Sequence, residues 1–251
     1  MRRYQNYVFD LYGTLVDIHT DEGKLGFWKK VSQFYCLHGA VYMPRELQER
    51  YLEAVRRREA GLKDRLEHSR PADSHESSPE IRLEDVFREL YENRGVKPSD
   101  GLICETAREF RKASTTHLRC YAGCAELLTA LRETGAKIWL LSNAQHVFTE
   151  WEMRTLGIWD LFDGICISSD HSCRKPDPRF FRALLEDRIL DPGNCLMIGN
   201  DPVNDIAAAA AVGMDTYYIR SALSPRLEDP VEATYRQDRM DLKKLRRRLL
   251  S

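Results

Sequence analysis

No stretch of the 251 residues is long and apolar enough to cross a bilayer, and neither sign of charge dominates, with 38 lysines and arginines against 39 aspartates and glutamates. The first absence argues against a membrane-spanning chain. The second removes the electrostatic footprint of a general nucleic-acid or membrane-surface binder. The seven cysteines show no paired metal-ligand spacing, and an odd count fits a reduced compartment better than a disulfide framework. Cys120 and Cys124 have no matching pair elsewhere, so buried free thiols are expected there. His38, His117, His146 and His171 lie apart and form no ligand set. Residues 1–6 run directly into an apolar segment without a leader pattern, and the expectation is a cytoplasmic protein.

What is present begins with Tyr7-Val8-Phe9-Asp10-Leu11-Tyr12-Gly13-Thr14-Leu15. A short run of strand-forming residues ends on a carboxylate, and a glycine then lets the chain turn away. Asp10 is thereby expected at the carboxyl end of a strand, where open α/β sheets place their chemistry.

From about residue 21 to 117 the periodicity is helical, carried by Leu25, Trp28, Val31, Phe34 and Tyr35, by Leu47, Tyr51 and Val55, by Ile81, Val86, Phe87, Leu90 and Tyr91, and by Ile103, Ala107 and Phe110. The polar, proline-punctuated residues 67–79 read as a loop within it. No strand is evident in this block, so it reads as a helical insertion. Beyond it strands and helices alternate, the signature of a parallel sheet with crossover helices. Strands are expected at 137–142, 164–168, 195–199 and 216–220, with helices at 126–134, 148–156, 179–186 and 203–212. The basic residues 242–250 read as a terminal amphipathic helix with a solvated face.

Three later strand ends carry polar groups: Ser142-Asn143, then Lys175-Pro176-Asp177-Pro178, then Gly199-Asn200-Asp201-Pro202-Val203-Asn204-Asp205. Together with Asp10, and in this order, they resemble the four motifs of the haloacid dehalogenase-like (HAD) hydrolase superfamily. The resemblance covers the whole chain and implies an α/β fold: a Rossmann-like parallel core from residues 1–20 and 118–251, with residues 21–117 inserted after the first strand as a helical cap.

It also implies a Mg²⁺-dependent phosphatase acting on a small phosphorylated metabolite, without nucleic-acid or membrane partners, as a monomer or homodimer. Asp10 would be the nucleophile, forming an aspartyl-phosphate that splits one difficult displacement into two easier ones. Asp10, the Tyr12 backbone carbonyl and Asp201 would hold Mg²⁺ through hard oxygen ligands. Lys175 would supply a point charge beside Asp10, while Thr14, Ser142 and Asn143 would help cradle the phosphoryl oxygens. Asp205, four residues beyond Asp201, and Asn200 would stand behind these groups and position them.

The chain departs from the phosphatase pattern at Tyr12, where most relatives carry a second Asp that protonates the leaving group. The Asp-x-Tyr-Gly-Thr-Leu form resembles the superfamily's 2-haloacid dehalogenases, whose aspartate attacks carbon without a metal; that is the alternative reading. Against it stand Asp201, an acid that a metal-free site does not need, and Phe181, where those dehalogenases carry tyrosine. A substitute proton donor is sought in the inserted block, at His19, Asp21 or a carboxylate further on. Trp28, Lys29, Arg45 and the run Arg56-Arg57-Arg58 are the residues expected to face substrate.

Overall fold

The computed structural model describes residues 3–68, 78–226 and 230–251; residues 69–77 of the expected loop lie outside the described residues. Its centre is a six-stranded sheet in the order β5-β4-β1-β6-β7-β8. The strands are β1 (Asn6–Phe9), β4 (Lys137–Ser142), β5 (Gly164–Ile167), β6 (Cys195–Gly199), β7 (Asp215–Ile219) and β8 (Tyr235–Gln237), and every neighbouring pair is parallel. Successive side chains on a strand point to opposite faces, so each strand feeds two cores. Tyr7 and Phe9 pack with Leu140, Ile198 and Tyr217 under α5 (Cys124–Glu133) and α10 (Leu242–Leu250). Val8, Trp139, Leu141 and Met197 pack on the other face against α8 (Pro178–Asp187) and α9 (Ala208–Ala211). Two further helices, α6 (His146–Thr155) and the short α7 (Ser168–His171), follow β4 and β5. This is the Rossmann-like α/β arrangement read from the alternating pattern.

Between β1 and β4 the chain makes a helical block: α1 (Leu25–Leu37), α2 (Pro44–His68), α3 (Leu83–Glu92) and α4 (Asp100–Ser114). Its own core is aromatic, with Phe27, Trp28, Tyr35, Tyr51, Phe87, Tyr91 and Phe110 buried together; Phe148 of α6 joins the same cluster. A ribbon leads into and out of the block, formed by β2 (Val16–Thr20) and β3 (Thr115–Cys120), antiparallel with Val16 opposite Cys120. A second tie joins Pro79 to Cys173, with Glu80 N donating to Ser172 O at 3.2 Å and Arg174 N to Ser78 O at 3.0 Å. No helix among the described residues is long and apolar enough to cross a membrane.

Beyond β8 and α7, which no expected element covers, two segments differ from the sequence expectation. The ribbon strands escaped notice because they are short, half-exposed and paired across some hundred residues of chain, so neither carries a strand signature alone. The expected helix over 203–212 opens as a π-helical turn, Pro202–Ala207, before α9 takes over. Pro202 and the capping side chain of Asp201 set that widened first turn.

Candidate active site

β1 lies between β4 and β6, so the chain diverges to either side of it, and Asp10 follows Phe9 at its carboxyl end. The Asp10 amide continues the ladder by donating to Ile198 O at 3.0 Å. Gly13 then turns the chain at φ +88°, and a Cβ there would stand 2.5 Å from Asn200 Nδ2, so only glycine lets Asn200 pack against this loop.

Lys175 enters from the loop before α8 and is 2 % exposed. Its Nζ donates to Asp10 Oδ1 at 2.8 Å, to Asp205 Oδ1 at 2.6 Å and to the Leu141 carbonyl at 2.8 Å, which uses all three of its protons. Burial alone would lower the lysine's pKa, but the two carboxylates outweigh it and hold the ammonium above its ordinary value. Asp205 is 1 % exposed. Burial raises it, Lys175 pulls it back and Asp10 raises it again, leaving it at about 7. One ammonium thus serves two buried carboxylates. Asp205 fits only because Gly199 lacks a side chain, since a Cβ there would collide with its carboxylate.

Thr14 Oγ1 donates to Asp10 Oδ2 at 3.0 Å and also lies 3.2 Å from Asn200 Oδ1. Ser142, at the end of β4, is fully buried, and among the described residues its hydroxyl has no hydrogen-bond partner. A buried orphan hydroxyl is costly, and it marks a place where an outside acceptor or donor belongs. Asn143 turns away from such a place. Its Oδ1 accepts from Lys175 N and its Nδ2 donates to Lys175 O, both at 2.8 Å, so its side chain clamps the backbone of the lysine loop.

Asp201 also departs from expectation. Its Oδ1 accepts from Val203 N and Asn204 N, and its Oδ2 from Asn204 Nδ2, which makes it the cap of the π-helical turn. The residue that reaches Asp10's neighbourhood is Asn200, one position earlier. Its Oδ1, a neutral amide oxygen, lies 3.2 Å from the Thr14 hydroxyl that donates to Asp10, while the Asp201 carboxylate is taken up by the turn it caps. Among the described residues no group of three or more His, Cys, Asp or Glu side chains is placed to hold a metal ion.

Tyr12 leaves the loop toward α6. Its hydroxyl donates to Glu152 Oε2 and lies 3.1 Å from Thr149 Oγ1. Glu152, only 1 % exposed, also accepts from Arg111 Nε of α4 at 2.6 Å. The Arg111 guanidinium sits 5.7 Å from the Tyr12 ring centre and 5.1 Å from that of Phe148. Burial first and the Glu152 charge second raise the Tyr12 phenol well above its ordinary pKa, so it keeps its proton. Arg111 and Glu152 escaped the sequence reading because they occupy unremarkable helical positions; a buried Glu on the apolar stripe of α6 was the one available signal.

The residues expected to face substrate lie elsewhere. Trp28 belongs to the aromatic core, Lys29, Arg45 and Arg56 are exposed, and Arg57 and Arg58 are tied to Glu89.

The arrangement can deliver a carboxylate nucleophile flanked by a buried cation and hydroxyls. Residues 4–213 match the model of the haloacid dehalogenase-like hydrolases. A phosphoserine phosphatase of Thermus thermophilus is 31 % identical over 150 residues, 59 % of this chain and 57 % of that protein. A glyceraldehyde 3-phosphate phosphatase of Pyrococcus abyssi is 30 % identical over 112 residues, 44 % of this chain and 47 % of that one. This chain thus spans about half the length of either relative. In structure, a 2-haloacid dehalogenase from Pseudomonas syringae pv. Tomato aligns with a TM-score of 0.64 at 19 % identity over 98 % of both chains. A HAD phosphatase from Thermococcus onnurineus aligns with a TM-score of 0.57 at 21 % identity over 98 % of this chain and 97 % of that one. With residues 4–213 matched, the chain belongs to the haloacid dehalogenase-like hydrolase family.

Proposed function

We propose that the protein is a phosphohydrolase in which Asp10 attacks the phosphorus of a small phosphomonoester and water then releases phosphate from the aspartyl-phosphate. The observation that carries this reading is the buried Asp10–Lys175 contact beside the orphaned Ser142 hydroxyl. Lys175 offsets the repulsion between a carboxylate and a phosphoryl group. Thr14 and Ser142 would bind the non-bridging oxygens, while Asn143 and Asp205 would hold Lys175 in position. In this reading residues 21–117 act as the cap that closes over Asp10 and excludes water. The names of the two relatives support a phosphate ester as substrate.

Mg²⁺ enters only as the expectation of the family resemblance. Asp10, Asn200 and the Tyr12 carbonyl offer it a single carboxylate, a poorer set than the two expected. That same observation favours a second reading, metal-independent attack of Asp10 on the carbon of a short 2-haloacid. One assay separates them: phosphate release from a panel of phosphate esters with Mg²⁺ and with EDTA, beside halide release from chloroacetates, each repeated with Asp10→Asn. Phosphate release lost in Asp10→Asn supports the first reading. Halide release unaffected by EDTA, with no phosphate release, overturns it in favour of the second.

A further inference from the structure

Glu152 and Arg111 are buried charged groups for which the proposed reaction has no use, their side chains 1 % and 14 % exposed. They come from different parts of the molecule: Glu152 from α6, which follows Ser142 and Asn143, and Arg111 from α4 of the helical block. Arg111 Nε donates to Glu152 Oε1 at 2.6 Å, and Nη2 lies 3.5 Å from Oε2. The guanidinium also covers the rings of Phe148, at 5.1 Å, and Tyr12, at 5.7 Å. Taking two charges out of water is costly, and apolar side chains of similar volume often stabilise a fold as well or better. Folding alone therefore gives little reason for the pair.

Its third neighbour is the nucleophile loop. Tyr12 donates its hydroxyl proton to Glu152 Oε2 and lies 3.1 Å from Thr149 Oγ1 of the same helix. The loop itself is a closed turn, with Gly13 N donating to Val16 O at 2.8 Å, and Leu15 N and Val16 N both donating to Leu11 O, at 2.8 and 2.9 Å. Thr14 of this turn donates to Asp10 Oδ2 at 3.0 Å. Asp10, Tyr12 and Thr14 thus belong to one hydrogen-bonded unit, and Glu152 grips it by the Tyr12 side chain. Of the residues sought as a substitute proton donor, His19 is exposed, and Asp21 is bound to Gly23 N at 3.0 Å and to Lys24 Nζ at 2.8 Å.

We propose that Glu152 is a positioning residue for hydrolysis at Asp10: it holds the turn that carries the nucleophile through the Tyr12 hydroxyl, and Arg111 fixes the Glu152 carboxylate from the helical block. The position two beyond Asp10 is then an anchor rather than an acid, and the helical block enters the reaction through a buried ion pair. The effect is on geometry, since a misplacement of about 1 Å at the reacting groups can cost about 10² in rate. The inference rests on the phosphohydrolase reading.

The test separates stability from activity by exchanging the pair for apolar side chains. Arg111→Met alone strands Glu152 and should lower the melting temperature, whereas Arg111→Met combined with Glu152→Met leaves no unpaired charge and should restore most of it. Activity is read on p-nitrophenyl phosphate. The double variant should keep a kcat about 10- to 10²-fold below the wild type with KM little changed, because the cluster acts on Asp10 and not on substrate. Tyr12→Phe, which removes one hydroxyl and leaves the ion pair whole, should show a loss of the same order at a melting temperature close to that of the wild type. Added to the double variant, Tyr12→Phe should cost no more than about twofold further, since the anchor is already gone. Recovery of kcat together with melting temperature in the double variant, an unchanged kcat in Tyr12→Phe, or losses that simply multiply would each overturn the inference and leave the phosphohydrolase reading standing. Should the double variant fail to fold, Tyr12→Phe carries the test: a lowered kcat at unchanged KM and melting temperature supports the assignment, and an unchanged kcat overturns it. A wild type inert toward every ester overturns the reading and the inference together.

Discussion

The surroundings of Asp10 and the helical block handle charge in opposite ways. Around Asp10 the polar side chains are buried, and most spend every donor or acceptor on a named partner. In α1–α4 the buried groups are almost all apolar, aromatic rings interleaved with aliphatic side chains, with the charges outside in exposed pairs such as Arg50–Glu53 and Lys112–Glu109. Surface pairs of that kind contribute little, so the block owes its stability to apolar packing. A buried ion pair is likewise weak evidence for stability, but removing one partner strands the other. The site is therefore a place where folding tolerates charge for the sake of chemistry, and the block is where apolar burial offsets that cost.

Lys175→Met should break the contrast most severely, since it leaves Asp10 and Asp205 facing each other without a cation. We expect about 3–5 kcal/mol of lost stability by denaturant unfolding, together with loss of hydrolysis. Asp10→Asn should abolish hydrolysis with no such penalty, because Lys175 keeps Asp205. If Lys175→Met proved as stable as the wild type, the three-way charge cluster would not exist as described.

Phe110→Ala tests the block. Phe110 is 1 % exposed and contacts Phe27, Tyr51, Phe87 and Phe148. Its truncation should cost about 3–5 kcal/mol in the same measurement, whereas chemistry at Asp10 should survive in the folded fraction.

Asp205 gives a pH-dependent term of smaller size. Its folded pKa of about 7 lies above the ordinary carboxyl value of 3.8, so the native state binds the proton more tightly. That contribution is fully present below about pH 4 and is lost as pH rises through about 7. Melting temperatures measured from pH 5 to 8 should therefore fall less steeply with rising pH in Asp205→Asn than in the wild type. The smallest effect belongs to Asp201→Ala, which removes a cap from the π-helical turn and should cost about 1 kcal/mol. A large change in metal requirement in that variant would show that Asp201 turns toward Asp10 when an ion is present.

Much of this was legible in the sequence where local pattern and chemistry coincide. The strand over 137–142, the strand over 195–199 and the terminal helix over 242–250 fall where their apolar periodicity puts them. Asp10, Lys175 and Thr14 meet as their strand-end positions suggested. The exchange of roles between Asn200 and Asp201 was not legible, because it depends on which of two adjacent side chains faces the turn, and a π-helical start rotates that choice. Nor was the Tyr12–Glu152–Arg111 cluster, since it joins three elements whose separate patterns are those of ordinary helices and a turn. Asn143 shows the same limit in miniature: a polar residue at the right strand end turned out to bind backbone.

The most direct test of Asp10 as a covalent nucleophile is to quench the enzyme during turnover of a phosphate ester and treat it with borohydride, which reduces an aspartyl-phosphate to homoserine. Peptide mass spectrometry should then find homoserine at position 10, in the presence of substrate and not without it. Sustained turnover with aspartate intact at position 10, or with the reduced residue elsewhere in the chain, would contradict the account.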